Sequence, residues 1–591
     1  MSRYLITTAD ERSWKFDRPV LFLGEWCRRY DRRQVWEGMD AMVAEPYGLL
    51  VGQKERDLAY IEALSSQLLG EVADALNAFH NTHHSLRYWN IVLGHWLKRY
   101  VAVIFNRYFT LEQVLGDHEL SGTTVFDATD YRLVTANSLS FIWASNDDIF
   151  NHVLYAKILS FWGNVKTEMD HAPLAGIRGF VQEENFKTVQ AQKVRDLIIN
   201  AVNYILPKFS CKRDAFIISS YMPRIEEVKL QLSLGQCPQF WQSPALKNAV
   251  LDPEKNRRFS IDAENFQGFE QFVRLLLGES IPTCYLEGYD QLVQHIKSLP
   301  WPAEPRFIFT SNNFDTDEIF KAWAGSKVEE GFPYFTGQHG NNYGTHICDG
   351  NSDWPERKSS DKFITWGWAD ESKNSVPAFI FKTMLKKKQQ FNQKGGLLLI
   401  ENLLYHKLYT HDIYYEYKLY QEEQFRFVEI LPTHIQRELT VRLHPAFRHM
   451  AWCDEQRWRD RSPHTKIEVG VVPIQELIKR SRLVIHSYDS TGILETLSLN
   501  IPTICFWYGG LDQLLPSAKP YYELLRIAGI LADTPEQAAE LIASHWDNVS
   551  EWWGSQKVQD ARKTFCGQYA KMEKNPVKEL KKLLTQNAKW T

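Results

Sequence analysis

Apolar positions along this chain recur in two rhythms. From Leu58 to Phe79 they fall at Leu58, Ile61, Leu64, Leu68, Val72 and Leu76, steps of three and four that predict an amphipathic helix. Leu86–Phe109 repeats the helical pattern with a heavy aromatic load, including Tyr88, Trp89, Trp96, Tyr100 and Phe105. Before these helices, Arg3–Thr8 and Val20–Gly24 are short apolar runs closed by polar residues and read as strands. Beyond residue 130 the runs Asp214–Ser220, Arg306–Ser311, Phe332–Thr336 and Lys362–Trp366 alternate with helical stretches. Short apolar runs alternating with helices predict parallel sheets joined by crossover helices.

Residues 369–395 interrupt the alternation with charged residues, Pro377 and the run Lys386–Lys388. A second series follows, with predicted strands at Gly396–Ile400, Leu439–Leu443, Lys466–Val469, Leu483–His486 and Pro502–Phe506. Helices are expected between them, near 421–430, 473–480, 491–499 and 534–546. The organisation read from this pattern is an α/β chain of two doubly wound, Rossmann-like domains facing a cleft. Residues 1–385 form the first, with a helical insertion at about 55–130. Residues 386–555 form the second, and a helical segment, 556–591, returns to brace the first. In such sheets ligands bind at the carboxyl ends of the strands, so polar residues just past each strand take priority.

Composition narrows the function classes. The 591 residues carry 68 Lys and Arg against 72 Asp and Glu, a net charge of −4. That balance excludes a protein that coats nucleic acid through bulk electrostatics. A hydrophobic fraction of 44% with 24% charged residues excludes extended disorder. Eight scattered cysteines without a CxxC pair suit free thiols in a reducing compartment. With no apolar run resembling a signal peptide or a bilayer span, the expected location is cytoplasmic, at most peripheral on the inner face of the cell membrane.

The chemistry-bearing residues of the second domain lie at strand ends. Val441–Pro445 places His444 and Pro445 past a strand, with Arg442 just before them. Leu483–Glu495 ends a strand near Ser487 and opens a helix at Ser490, Thr491 and Gly492, with Glu495 one turn on, in reach of ribose hydroxyls. Small hydroxyl residues and glycine at a helix start leave backbone N–H groups approachable, and the helix dipole favours an anion there. Singly, Ser490 or Thr491 is explained as a helix cap and His444 as a hydrogen-bonded strand end. Both elements in order, on successive strands of one domain, favour a nucleotide phosphate site.

These elements, His444-Pro445, Ser487–Ser490 and Thr491–Glu495, resemble the nucleotide-binding half of GT-B glycosyltransferases. The nearest style is that of bacterial enzymes using CMP-activated acidic sugars, the sialyltransferases and Kdo transferases, which hold the CMP phosphate with an HP motif and a serine pair. CDP-glycerol-type polymerases of teichoic acid synthesis show a related pattern. Over nearly its whole length the chain is similar to a family of transferases encoded in O-antigen biosynthesis clusters. The segments that carry this likeness are Leu23–Cys27, Tyr88–Leu97, Phe320–Ala324, Gly337–Gly344 and Thr365–Trp368. The resemblance implies a nucleotide-sugar donor, a lipid-linked or oligosaccharide acceptor of lipopolysaccharide or capsule, and no cofactor.

In the first domain, Gly337-Gln338-His339-Gly340-Asn341 follows a strand. It puts an imidazole at the cleft mouth as a general base or acid, with Gln338, Gly340 and Asn341 beside it. A tight turn with a hydrogen-bonded histidine is the alternative. Strand-end carboxylates Glu25 and Asp10 are the other catalytic candidates, as base or nucleophile. Asp315-Thr-Asp317 is formally a DxD, but it precedes a helical run, where acids cap and complement the dipole. His80, His83 and His84 lack a carboxylate or cysteine partner, so no metal is expected. Three other activities compete with glycosyl transfer: transfer of a CDP-linked polyol phosphate, hydrolytic epimerisation of a nucleotide sugar, and a non-catalytic assembly scaffold.

Overall fold

The computed structural model describes residues 2–128, 131–171, 209–244, 246, 257–347, 354–386, 391–403 and 413–586. It contains three five-stranded sheets, and every strand pair is parallel. Sheet one holds β1 (Arg3–Ile6), β2 (Val20–Phe22), β3 (Ala41–Val43), β4 (Leu120–Phe126) and β5 (Thr167–Asp170), in the order β3-β2-β1-β4-β5. Sheet two holds β6 (Phe216–Ile218), β7 (Ile308–Thr310), β8 (Tyr334–Gly337), β9 (Lys362–Thr365) and β10 (Ser375–Pro377), which lie side by side in chain order. Sheet three holds β11 (Gly396–Ile400), β12 (Leu439–Arg442), β13 (Lys466–Glu468), β14 (Ser481–His486) and β15 (Thr503–Cys505), in the order β13-β12-β11-β14-β15.

The α/β reading with parallel, Rossmann-like sheets therefore stands, with the doubly wound order in sheets one and three but not in sheet two, and two expectations change. Residues 1–385 carry two sheets, not one. The helical part at 55–130 is no insertion: helices Gln53–His80 and Leu86–Asp117 form the crossover from β3 to β4, which pairs with β1 in the same sheet. The cause is visible in the second of those helices. Tyr88, Trp89, Ile91, Val92 and Leu93, which point to different sides of the helix, are all buried, so it is apolar around most of its circumference and demands cover on several sides. It receives that cover from helix Gln53–His80 on one side and from helix Glu318–Glu329 of the sheet-two unit on another. One helix thereby joins the cores of two sheets.

The C-terminal segment ties sheet three to sheet two. Helix Gln556–Tyr569 packs on helices Thr491–Ser498 and Lys519–Ile527. The backbone of Lys571 then donates to Trp366 O and accepts from Ile380 N, both at 2.9 Å. Helix Pro576–Thr585 buries Leu580 and Leu584 in the core of sheet two. No helix among the described residues is long and apolar enough to cross a membrane. Cys27, Cys284, Cys505 and Cys566 are buried free thiols.

Candidate functional site

A cavity of about 820 Å³ opens at the carboxyl edge of sheet three. It lies where the strand order reverses between β11 and β14, the usual ligand position in such sheets. Arg442, His444, Ser490, Thr491, Gly492 and Glu495 all line it. His444 and Ser490 do not follow successive strands, however: β12 carries one and β14 the other, and they flank β11 in space.

Each of these side chains is set up for an anion in its own way. Arg442 is nearly buried; Nη1 donates to Leu443 O at 3.0 Å, while Nε, 3.6 Å from Glu468, makes no hydrogen bond. At His444, Nδ1 accepts from Ala446 N at 3.2 Å. Burial first, and the neighbouring Arg442 second, hold this imidazole's pKa below its usual value. A neutral ring whose Nδ1 accepts must carry its proton on Nε2, as a donor. Ser490 occupies the N-cap position of helix Thr491–Ser498, yet no side chain caps this helix. Its first N–H groups therefore stay available. Gly492 is required by close approach, since a Cβ there would lie 2.6 Å from His486 Cε1. Lys382, Lys386 and Lys479 add positive charge to the lining, and Lys382 Nζ stands 3.5 Å from Glu495.

Two titratable lining residues at strand ends escaped the sequence reading. Glu401, just past β11, is buried; burial and the charge of Asp454 push its carboxyl above the usual range, while Trp458 Nε1 donates to Oε1 at 2.6 Å. His486 ends β14, its pKa brought down by burial to about 3, with Nδ1 buried and unpartnered. Both sit at the end of an apolar run, His486 directly before Ser487–Ser490. Strand-end position is the one signal that could have found them.

Sheet two meets this cavity through the turn after β8. Asn341 N donates to Thr491 Oγ1 at 3.0 Å, and Asn341 Nδ2 to Asp489 Oδ1 at 2.7 Å. Thr491 thus bridges the units instead of capping its helix. Buried Asp489 also accepts from His346 Nε2 and Tyr522 Oη, both at 2.8 Å. Gly340 packs on Thr491, where a Cβ would come within 3.1 Å of Oγ1. His339, one residue earlier, is half-buried. It lies beside Tyr221, whose ring stacks under the cavity-lining Lys382, 5.1 Å from its Nζ.

Other predicted site residues are engaged elsewhere. Ser487 is buried and donates to Gln424 Oε1 at 3.0 Å. Gln338 turns inward, accepting from Trp366 N at 2.9 Å and Trp368 Nε1 at 2.8 Å, so it shapes the turn and does not line a cleft. Pro445 packs on Gly470, whose Cβ would strike Pro445 Cα at 2.6 Å. Glu25 lines a separate cavity of about 210 Å³ between sheets one and three. There Arg28 at 2.6 Å and Lys418 at 2.9 Å outweigh burial and keep its pKa low. Asp10 caps the short helix Glu11–Ser13 and pairs with Arg12. The structure does not bring these two carboxylates to the large cavity. Asp317 caps helix Glu318–Glu329, accepting from Phe320 N at 3.0 Å, whereas Asp315 pairs with Arg99 at 2.6 Å. The described residues contain no cluster suited to hold a metal ion. Of the Lys386–Lys388 run, Lys387 and Lys388 lie outside the described residues.

No curated protein matches the chain in sequence. Among solved structures it is similar to MurG of Acinetobacter baumannii, at 10% identity over 63% of this chain and 99% of that one, with a TM-score of 0.33. It is also similar to a UDP complex of S. aureus MnaA (14% identity, 50% of this chain and 78% of that one, TM-score 0.31). A third is WaaG, a glycosyltransferase involved in lipopolysaccharide biosynthesis (10% identity, 51% and 95%, TM-score 0.27). Scores of this size describe a loose likeness of layout. The family model of the LIC12162 family transferases matches residues 3–584, nearly the whole sequence, and the chain belongs to that family.

Proposed function

We propose that this transferase is a glycosyltransferase of the GT-B type, which holds a nucleotide-activated sugar at the carboxyl edge of sheet three. The observation that carries this reading is the convergence, in one cavity, of three groups that favour an anion. They are the Arg442 guanidinium, the Nε2–H of neutral His444 and the uncapped start of helix Thr491–Ser498. All three suit a phosphate. In the transfer step the bond from the anomeric carbon to the phosphate oxygen breaks and its electron pair stays on the nucleotide. Arg442, His444 and the helix start stabilise that charge where it develops. His339, beside the cavity on the sheet-two side, takes the proton of the acceptor hydroxyl as the new glycosidic bond forms.

The finer reading rests on the likeness of His444-Pro445 and Ser487–Ser490 to enzymes using CMP-activated acidic sugars. It makes the donor a CMP-activated ulosonic acid and the acceptor a lipopolysaccharide or capsule glycan. Work on such an acceptor places the protein at the inner face of the cell membrane. Leaving-group charge is met by protein groups throughout, so turnover is expected to survive EDTA. Loss of activity restored by Mg²⁺ or Mn²⁺ would contradict that part.

A thermal-shift screen of CMP, CDP, UDP, GDP and dTDP tests the whole. A specific nucleotide at about 100 times its Kd adds about 2.7 kcal/mol of stability, and CMP is expected to lead. A flat response to all five removes the donor site.

A further inference from the structure

His339 does not stand alone in its turn. Its Nδ1 lies 3.2 Å from Tyr343 Oη, and the same hydroxyl donates to Glu356 Oε1 at 2.5 Å. Tyr343 and Glu356 are both buried. Burial pushes the Glu356 carboxyl up, but His95, with Nε2 3.1 Å from Oε2, and Tyr343 outweigh it and hold the group ionised. An ionised carboxylate can only accept, so the single phenolic proton of Tyr343 is committed to Glu356. The oxygen lone pair that remains toward His339 can in turn only accept. Nδ1 must therefore carry a proton. Nε2 makes no hydrogen bond to a described residue and is not sealed from solvent.

We propose that Tyr343 and Glu356 are positioning residues that fix His339 as its Nδ1–H tautomer, leaving the Nε2 lone pair as the atom that accepts the acceptor hydroxyl's proton. This rests on the transferase reading of His339 given above. The proton balance closes. The hydroxyl proton passes to Nε2 as its oxygen bonds the anomeric carbon. The imidazolium so formed is stabilised through Tyr343 by the Glu356 carboxylate, and the proton leaves to solvent after the nucleotide departs. Such a chain of hydrogen bonds selects tautomer and orientation without itself taking up the proton. The charges that face His339 are Glu356 and Asp315, which favour its protonated form, and Lys382 and His95, which oppose it; burial outweighs them all and keeps the ring neutral.

Selective ¹³C/¹⁵N labelling of histidine in the full chain reads the tautomer directly, with His339→Ala assigning the signal. Wild type is expected to show Nδ1–H at His339, and Tyr343→Phe to shift population toward Nε2–H. An Nε2–H signal in the wild type, or an Nδ1–H signal that Tyr343→Phe leaves untouched, overturns the proposal. The wild-type spectrum decides even where a variant fails to fold. In turnover, Tyr343→Phe and Glu356→Gln are each expected to lower kcat ~10–100-fold, the scale on which outer partners of working histidines matter, with KM for the nucleotide donor unchanged. Glu356→Gln should also move the acidic limb of the kcat profile to lower pH, because a carboxylate that favours imidazolium is gone. A limb that stays in place contradicts the wiring. Failure here is separable from failure of the parent reading. Full turnover in His339→Ala removes the base whatever its tautomer, whereas an inactive His339→Ala with a wild-type Nε2–H signal removes only the wiring.

Discussion

Sheets one and three share a strand order, each with its reversal beside the first strand, yet their carboxyl edges differ. In sheet three the edge opens a cavity of about 820 Å³ bordered by Ser490, Thr491 and Gly492. In sheet one the end of β1 is covered, and the cavity beside it at Glu25, of about 210 Å³, is the smaller. Trp14 Nε1 donates to Thr8 O at 3.0 Å and Trp26 Nε1 to Thr7 O at 2.9 Å, so two indoles cover the end of β1. Asp10 pairs with Arg12, and Glu11 with Arg32 at 2.6 Å. A doubly wound sheet thus offers a place for a ligand, and the residues beyond its strands decide whether the place is used. Small residues and unpaired donors leave it open; large rings and neutralised charges close it.

The sharpest test of this contrast asks which carboxyl edges work. His339→Ala is expected to depress turnover ~10²–10⁴-fold, the range of a lost acid–base group, with nucleotide affinity and melting temperature little changed. Steady-state kinetics beside a binding isotherm measures both. Arg442→Ala and His444→Ala come next. Each removes a hydrogen bond to a charged phosphate, a loss of ~1.5–3 kcal/mol in nucleotide binding by calorimetry. Gly492→Ala forces a methyl against His486 and should cost ~1–3 kcal/mol of stability, as overpacking does, read in a denaturant melt. Glu25→Gln gives the smallest effect. Its partners are partly exposed, so ~0.2–1 kcal/mol of stability is expected, with turnover near wild type. A turnover loss as deep as that of His339→Ala would reopen sheet one as a working edge.

The acid side of the rate profile adds a signed test. Burial lowers the His339 pKa, so this base stays neutral, and active, at pH values below the usual histidine midpoint of ~6.5. The kcat profile should therefore fall only on the acidic side of that value. A fall that begins above it contradicts a neutral base at His339.

Sheet three was the most legible part of the sequence. Gly396–Ile400 and Leu483–His486 are continuous apolar runs, as befits strands covered on both faces, and they reappear in β11 and β14. The edge strands β3, β5 and β10 are three or four residues long and partly exposed; β5 is Thr-Glu-Met-Asp and β10 Ser-Val-Pro, while β3, though Ala-Met-Val, is too short to stand out as an apolar run. Missing them, the reading could not divide residues 1–385 into two sheets. At the site, Ser490 and His444 were visible because helix starts and strand ends have local signatures. The inward turn of Gln338 was not, since its partners Trp366 and Trp368 lie about thirty residues away. Nor was the use of Thr491 by Asn341, a contact between separate units.

The most direct measurement is a crystal structure of the chain with its preferred nucleotide. The expected position of the phosphate is against the Arg442 guanidinium, His444 Nε2 and the N–H groups of Thr491 and Gly492, with the β1 end of sheet one still covered by Trp14 and Trp26. Nucleotide bound at the edge of sheet one, or in the Glu25 cavity with the sheet-three cavity empty, would contradict it.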